Sequence, residues 1–174
     1  PFNFVVCVLT TSFWPAATPL DATLPGDMAR AEEDFKAFYR TVQQKRSLTF
    51  NHGLGTVLLR ADYKAGRKEL AVTLPQALVL LAFAGAREGE SAPLSFEQVR
   101  AATGLPVREL RVNLHSLCMG KYRLLARISS GGGSGDDVGN KSGIAVVETD
   151  SFDVEYGFSS RLRRIKVPAM RPKE

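Results

Sequence analysis

The stretch from Thr73 to Glu148 limits the fold most. Thr73-Leu-Pro-Gln76 and Ser95-Phe-Glu-Gln98 each match a capping box. In that motif a hydroxyl accepts from the first helical turn, and a Gln three residues on reaches back to the cap's own N–H. Pro75 and Pro106 stand where a first turn tolerates a missing N–H. Gly85, Gly104 and Gly120 each follow a helical stretch, as left-handed stops do. Tyr122–Ile128 and Ile144–Val147 then read as two strands. The Gly/Ser/Asp-rich residues Ser129 to Gly143 between them are expected to form a mobile wing tip. Three helices and a β-hairpin make a winged helix, a fold used both to bind nucleic acid and to scaffold proteins.

The flanks supply a second unit. Phe4-Val-Val-Cys-Val-Leu9 reads as a strand covered on both faces. Phe4, Val6 and Val8 lie on one side and Val5, Cys7 and Leu9 on the other. Thr10 to Leu24, with Pro15 and Pro19, is a loop. Met28, Ala31, Phe35, Phe38 and Val42 recur at helical steps, so residues 27–42 form an amphipathic helix. Its acids, Asp27 and Glu32 to Asp34, lie toward the N-terminal half, where the dipole favours them. Gly55–Arg60 and Glu69–Thr73 are strands about a turn at 62–68. Phe152–Tyr156 carries a short extended piece, and Arg161–Val167 returns as a strand to the first sheet. The fold class is α+β: a mixed or antiparallel sheet with a packed helix and an inserted winged-helix domain. Residues 1–72, completed by 152–170, make the sheet unit. Residues 73–150 make the winged helix, and 171–174 a basic tail.

Charge bears on the choice between the two uses. The net charge is +5, but Arg161, Arg163, Arg164, Lys166, Arg171 and Lys173 all follow Ser160, against Glu174 alone. The remaining 17 basic and 17 acidic residues balance. A broad basic face is the usual footprint of a nucleic-acid binder, and it is missing. In the helix after Pro106, Arg111 and Asn113 are the residue types that read bases, yet Glu109 among them would repel phosphate. The basic end suits solvent or an acidic partner equally.

Catalytic patterns are weak. Asn51-His-Gly53 has no nucleophile motif beside it, and the other histidine is His115. Two Cys and two His without paired spacing make no zinc site. Gly53-Leu-Gly55 lacks the third glycine of a dinucleotide fingerprint, and Gly131–Gly135 lacks the Gly-Lys-Ser/Thr of a phosphate loop. No enzyme activity, cofactor or metal is expected. Cys7 and Cys118 are expected to be buried thiols in a reducing compartment. No run approaches the roughly 20 apolar residues that span a bilayer. The chain begins at Pro1 without Met and is expected to be a piece of a longer protein.

Lys68-Glu-Leu-Ala-Val-Thr-Leu-Pro-Gln-Ala-Leu-Val-Leu-Leu81, Leu94-Ser-Phe-Glu-Gln-Val-Arg-Ala-Ala-Thr-Gly104 and Leu117-Cys-Met-Gly-Lys-Tyr-Arg-Leu-Leu125 together resemble the cullin homology region. Val8-Leu-Thr-Thr-Ser-Phe-Trp-Pro15, Phe35–Tyr39, Lys45–Phe50 and Leu162–Val167 extend the resemblance through most of the chain, in order. It implies a scaffold of a ubiquitin ligase, in the cytoplasm and nucleus, holding a RING-box protein whose N-terminal strand joins the sheet. The ubiquitin-conjugating enzyme is then engaged indirectly. A substrate adaptor is reached only through an N-terminal region absent here. The implied contact residues are Phe4, Val5, Val6, Val8, Trp14, Leu162, Arg164 and Lys166. Nothing after Lys173 corresponds to the family's second winged helix, so no lysine here is given the modifier-acceptor role. Nucleic-acid binding by the winged helix is the other reading.

Overall fold

The computed structural model describes residues 3–10, 13, 20, 22–84, 92–128 and 146–170. Helix α1 spans Gly26–Val42. Strand β1, Thr56–Tyr63, turns through Lys64 and Ala65 into β2, Gly66–Thr73. The two pair antiparallel, with Leu59 opposite Leu70. Gly66 has φ +101°, a conformation that favours glycine. A short late strand, β6 (Arg164–Lys166), pairs parallel to β2, with Ile165 beside Leu70. The sheet order is β1-β2-β6.

Thr73 ends β2 and caps α2 (Leu74–Ala82) in the same residue. The capping box is complete: Gln76 N donates to Thr73 Oγ1 at 3.4 Å, and Thr73 N donates to Gln76 Oε1 at 3.0 Å. Helix α3, Phe96–Thr103, starts the same way at Ser95 and Gln98. It stops at Gly104, with φ +65°. A Cβ there would also strike the Thr23 hydroxyl, so both conformation and space ask for glycine. Helix α4 spans Val107–Met119, with Pro106 as its N-cap. Strands β3 (Leu94–Ser95), β4 (Leu125–Ile128) and β5 (Ser151–Val154) form a second sheet, ordered β3-β5-β4. The succession α2-β3-α3-α4-β4-β5 is that of a winged helix.

One core joins the two parts. Leu70, Val72 and Ile165 of the first sheet, with Val167 just after β6, cluster with Val79, Val99, Leu110, Leu114, Leu124 and Phe152. Burial of such side chains stabilises by roughly 1.5–3 kcal/mol each. The α+β class expected from sequence is what the molecule has.

Several local expectations are corrected. Phe4–Leu9 forms no strand; it is unpaired backbone with largely exposed side chains. A β-branched run supplies strand propensity, but a strand needs a neighbour, and none of the described segments pairs with this one. Cys7 is consequently exposed, while Cys118 is buried as expected. The second wing strand is Ser151–Val154 rather than Ile144–Val147. Val146 and Val147 are irregular and lead into a turn, and residues 144–145 lie outside the described residues. Arg127 opposes Phe152, which sits in the core. Gly120 is extended, with φ −72° and ψ −172°, rather than left-handed. The close carbonyl of Ser116 leaves no room for a Cβ there. Gly85 and the wing tip at 129–143 lie outside the described residues. In α1, Phe38 and Val42 are exposed and the one buried residue is Glu32.

Candidate partner-binding face

Asn3–Thr10 is a run without a charged or proline residue. Within it Val5 is 82% exposed, Phe4 and Val8 about half as much, and Val6 half-buried. Phe4 anchors the run: its ring stacks on Phe50 at 6.4 Å, and Phe50 meets the edge of Phe35 on α1 at 6.1 Å. Lys36 Nζ stands 5.6 Å from the Phe50 ring centre, an attractive arrangement for a cation and a π face.

The first sheet has two outer strands, β1 and β6. An outer strand presents backbone donors and acceptors along one side. Strand β6 puts Ile165 into the core and turns Arg164 and Lys166 outward. Arg164 Nε is 3.9 Å from Glu69 Oε2 on β2. Leu162, just ahead, is exposed. The residues expected to meet a partner thus fall in two groups, one anchored on Phe50 and one carried by β6. Trp14 lies outside the described residues.

Strand β6 is short but firmly held. Glu69 N donates to Arg163 O at 2.9 Å, and Val167 N donates to Ala71 O at 3.0 Å. The buried ammonium of Lys68 donates to Ser160 O at 2.7 Å. Beyond the strand, Gln76 Nε2 donates to Pro168 O at 3.1 Å.

The other group is positioned through α1. Among the described residues this helix makes no broad contact with the other helices or strands. Instead, Glu32 receives Lys36 Nζ at 2.7 Å on one oxygen and faces His52 Nε2 at 2.8 Å with the other. His52 Nδ1 faces Leu20 O at 3.3 Å. Burial pushes the Glu32 carboxyl up, but hydrogen bonds and charge from Lys36 and His52 outweigh it and leave the group below its ordinary range.

The cullin alpha+beta domain matches residues 8–158. The chain belongs to the cullin family. It is 37% identical to Cullin-4A of Mus musculus over 174 residues, all of this chain and 21% of that protein. To Cullin-1 of Oryza sativa subsp. japonica it is 34% identical over 163 residues, 94% of this chain and 20% of that one. To Cullin-4 of Schizosaccharomyces pombe it is 28% identical over 172 residues, covering 99% and 22%. The chain spans about a fifth of the length of these curated relatives.

In this cullin chain the helix that would read bases is poorly equipped for it. Asn113 is buried and donates to Glu109 O at 2.8 Å. Arg111 carries Glu148 at 2.7 Å. The long-range roles of Glu32, His52, Lys68 and Gln76 were not read from sequence. Glu32 stood out as an acid in the N-terminal half of its helix, His52 in a glycine turn and Gln76 as a cap, but their partners across the chain were invisible. Among the described residues no cluster of His, Cys, Asp and Glu could hold a metal, and no helix is long and apolar enough to cross a membrane.

Proposed function

We propose that this cullin chain is a non-catalytic scaffold segment of a ubiquitin ligase, and that it holds a RING-box protein by strand addition. An N-terminal strand of the partner would pair with the backbone of Phe4–Leu9 and with an outer strand of the β1-β2-β6 sheet. Phe4, Val5, Val6 and Val8 would bury against it on one side. Leu162, Arg164 and Lys166 would bound it near β6, with Trp14 as a further contact residue. The RING-box protein would bring the ubiquitin-conjugating enzyme. A substrate adaptor would be met by a different part of the ligase, and the complex would work in the cytoplasm and nucleus.

The observation that carries this reading is Phe4–Leu9: uncharged, rich in β-branched residues, exposed and unpaired, in a molecule whose first sheet has outer strands. Strand addition uses these properties, since backbone bonds give affinity and alternating side chains give selectivity. Charge supports it over duplex binding, because the excess sits after Ser160 and Asn113 faces inward.

Co-expression with a RING-box protein tests the reading. One-to-one co-elution that survives high salt is expected, with loss on Val6→Pro while the chain stays folded. A folded chain that ignores the RING-box protein and shifts duplex DNA in a salt-sensitive manner would overturn it.

A further inference from the structure

Strand β1 is an outer strand, and its free edge follows from the bonds of its neighbours. Glu69 N donates to Arg163 O, and Ala71 O accepts from Val167 N. Glu69 and Ala71 therefore turn their backbone groups toward β6. Their partners across the hairpin, Arg60 and Leu58, turn theirs away from β2. The alternation of a strand extends this to Thr56 and Asp62. Among the described residues no strand pairs with that side of β1. The side chains facing the core agree. Leu70 and Val72 on β2 are buried, whereas Val57, Leu59, Ala61 and Tyr63 on β1 are half-buried. The opposite face carries charge in rows. Arg164, Glu69 and Arg60 lie abreast on β6, β2 and β1. Two residues along, Arg67 lies beside Asp62. The first row thus ends at the free edge on a positive charge, and the second on a negative one.

We infer that the free edge of β1 takes a second copy of this chain, antiparallel, with Arg60 of each copy opposite Asp62 of the other. A two-fold contact sets one residue against another and the second against the first, and an antiparallel strand pair meets that condition. Its hydrogen-bonded pairs come from the outward-facing residues Thr56, Leu58, Arg60 and Asp62. Centring the contact on Arg60 sets two guanidinium groups face to face, and like charges directly opposite are destabilising. Centring it on Leu59 leaves Arg60 opposite Leu58 and Asp62 opposite Thr56. Centring it on Ala61 pairs Arg60 with Asp62 twice. That register also puts alanine against alanine at a non-hydrogen-bonded pair, where side chains come closest. On the core side Leu59 meets Tyr63 of the other copy, which covers two half-buried apolar groups. Across the seam the row reads Arg164, Glu69, Arg60, then Asp62 and Arg67 of the second copy, alternating in sign at every step. Asp62 accepts from Arg67 Nε at 2.8 Å with Oδ1 and keeps Oδ2 for a second guanidinium. Exposed ion pairs add little energy. Backbone bonds hold the copies together, and charge selects the register. The pairing does not rest on the RING-box reading, and its test uses no partner.

Sedimentation velocity of the 174-residue chain tests it, with amide NMR shifts read over the same concentrations. Wild type is expected to pass from monomer to dimer between about 10 µM and about 1 mM, as suits a small interface. The shifts that change with concentration should centre on Leu58–Asp62. Arg60→Asp and Asp62→Arg each set like charges across the seam, and each alone should dimerise about tenfold more weakly. Mixed in equal amounts, the two should pair as tightly as wild type, because the two acidic row ends of one chain then meet the two basic ends of the other. A wild type that stays monomeric throughout that range would overturn the proposal. So would concentration-dependent shifts that leave β1 unmoved, and this series decides the case even where a variant fails to fold. Folded variants that dimerise alone as well as wild type, or that stay monomeric when mixed, would overturn it too.

Discussion

The side chain of Gln76 donates to the carbonyl of Pro168 at 3.1 Å, across 92 residues of sequence. The same amide nitrogen donates to Ser116 Oγ at 3.0 Å, and the amide oxygen accepts from Thr73 N at 3.0 Å. One fully buried side chain thus caps α2, braces α4 and holds the segment that leaves β6. It binds the winged helix to the sheet that the partner reading depends on.

Gln76→Leu keeps the volume and strips every one of these bonds. Buried Ser116, half-buried Thr73 and the more exposed Pro168 each lose a hydrogen bond. The expected loss is about 1–3 kcal/mol, the cost of an unmet buried polar group. Urea unfolding measures it. A change under about 0.5 kcal/mol, the range of an ordinary surface substitution, would refute the bracing role.

Asp150 should be equally intolerant. It is 1% exposed and meets Arg127 Nε at 2.7 Å, with Arg127 itself mostly covered. Its Oδ2 also accepts from Val147 N at 2.8 Å, which shapes the turn before β5. Asp150→Ala would leave a buried guanidinium without its carboxylate, at a cost of about 3–5 kcal/mol. Chemical denaturation reads this directly, and a wild-type midpoint would contradict it.

The two thiols should differ sharply. Cys7 is exposed. Burial pushes Cys118 up to about 12, with Arg127 and Asp150 pulling in opposite senses. The thiolate is the reactive form. A thiol-specific disulfide reagent should therefore label Cys7 rapidly in the folded chain and reach Cys118 only in denaturant. Rapid labelling of both under native conditions would be inconsistent with the Cys118 environment.

Acid should act through Glu32. Its folded carboxyl titrates below the ordinary value of 4.5 because Lys36 and His52 outweigh burial. Stability from this group is therefore present above the usual carboxylate range and lost as pH falls through the lowered value. Glu32→Gln should flatten the acid limb of a stability–pH curve. An acid limb identical to wild type would rule out the contribution.

What sequence revealed here was mostly local. The capping boxes at Thr73 and Ser95 lie within four residues, so their chemistry is complete in the string. The paired turn of β1 and β2 and the stop at Gly104 were legible for the same reason. Long-range facts were not. Phe4–Leu9 has the composition of a strand, but pairing is a property of two segments. Helical periodicity marked Phe38 and Val42 as core, whereas α1 buries Glu32, which faces Lys36 and His52. The apolar run at 144–147 drew the second wing strand to the wrong place; Asp150 turns the chain, and Phe152 enters the core. Asn113 looked like a base reader because a string does not say which way an amide points.

Strand addition at Phe4–Leu9 is tested most directly by hydrogen-exchange mass spectrometry of this chain, alone and with a RING-box protein. Amides of Phe4–Leu9 are expected to exchange freely in the chain alone, as exposed unpaired backbone does. They should become strongly protected in the complex, as those of paired strands are. A stable complex in which Phe4–Leu9 exchange as fast as before, with protection gained elsewhere, would contradict the proposal.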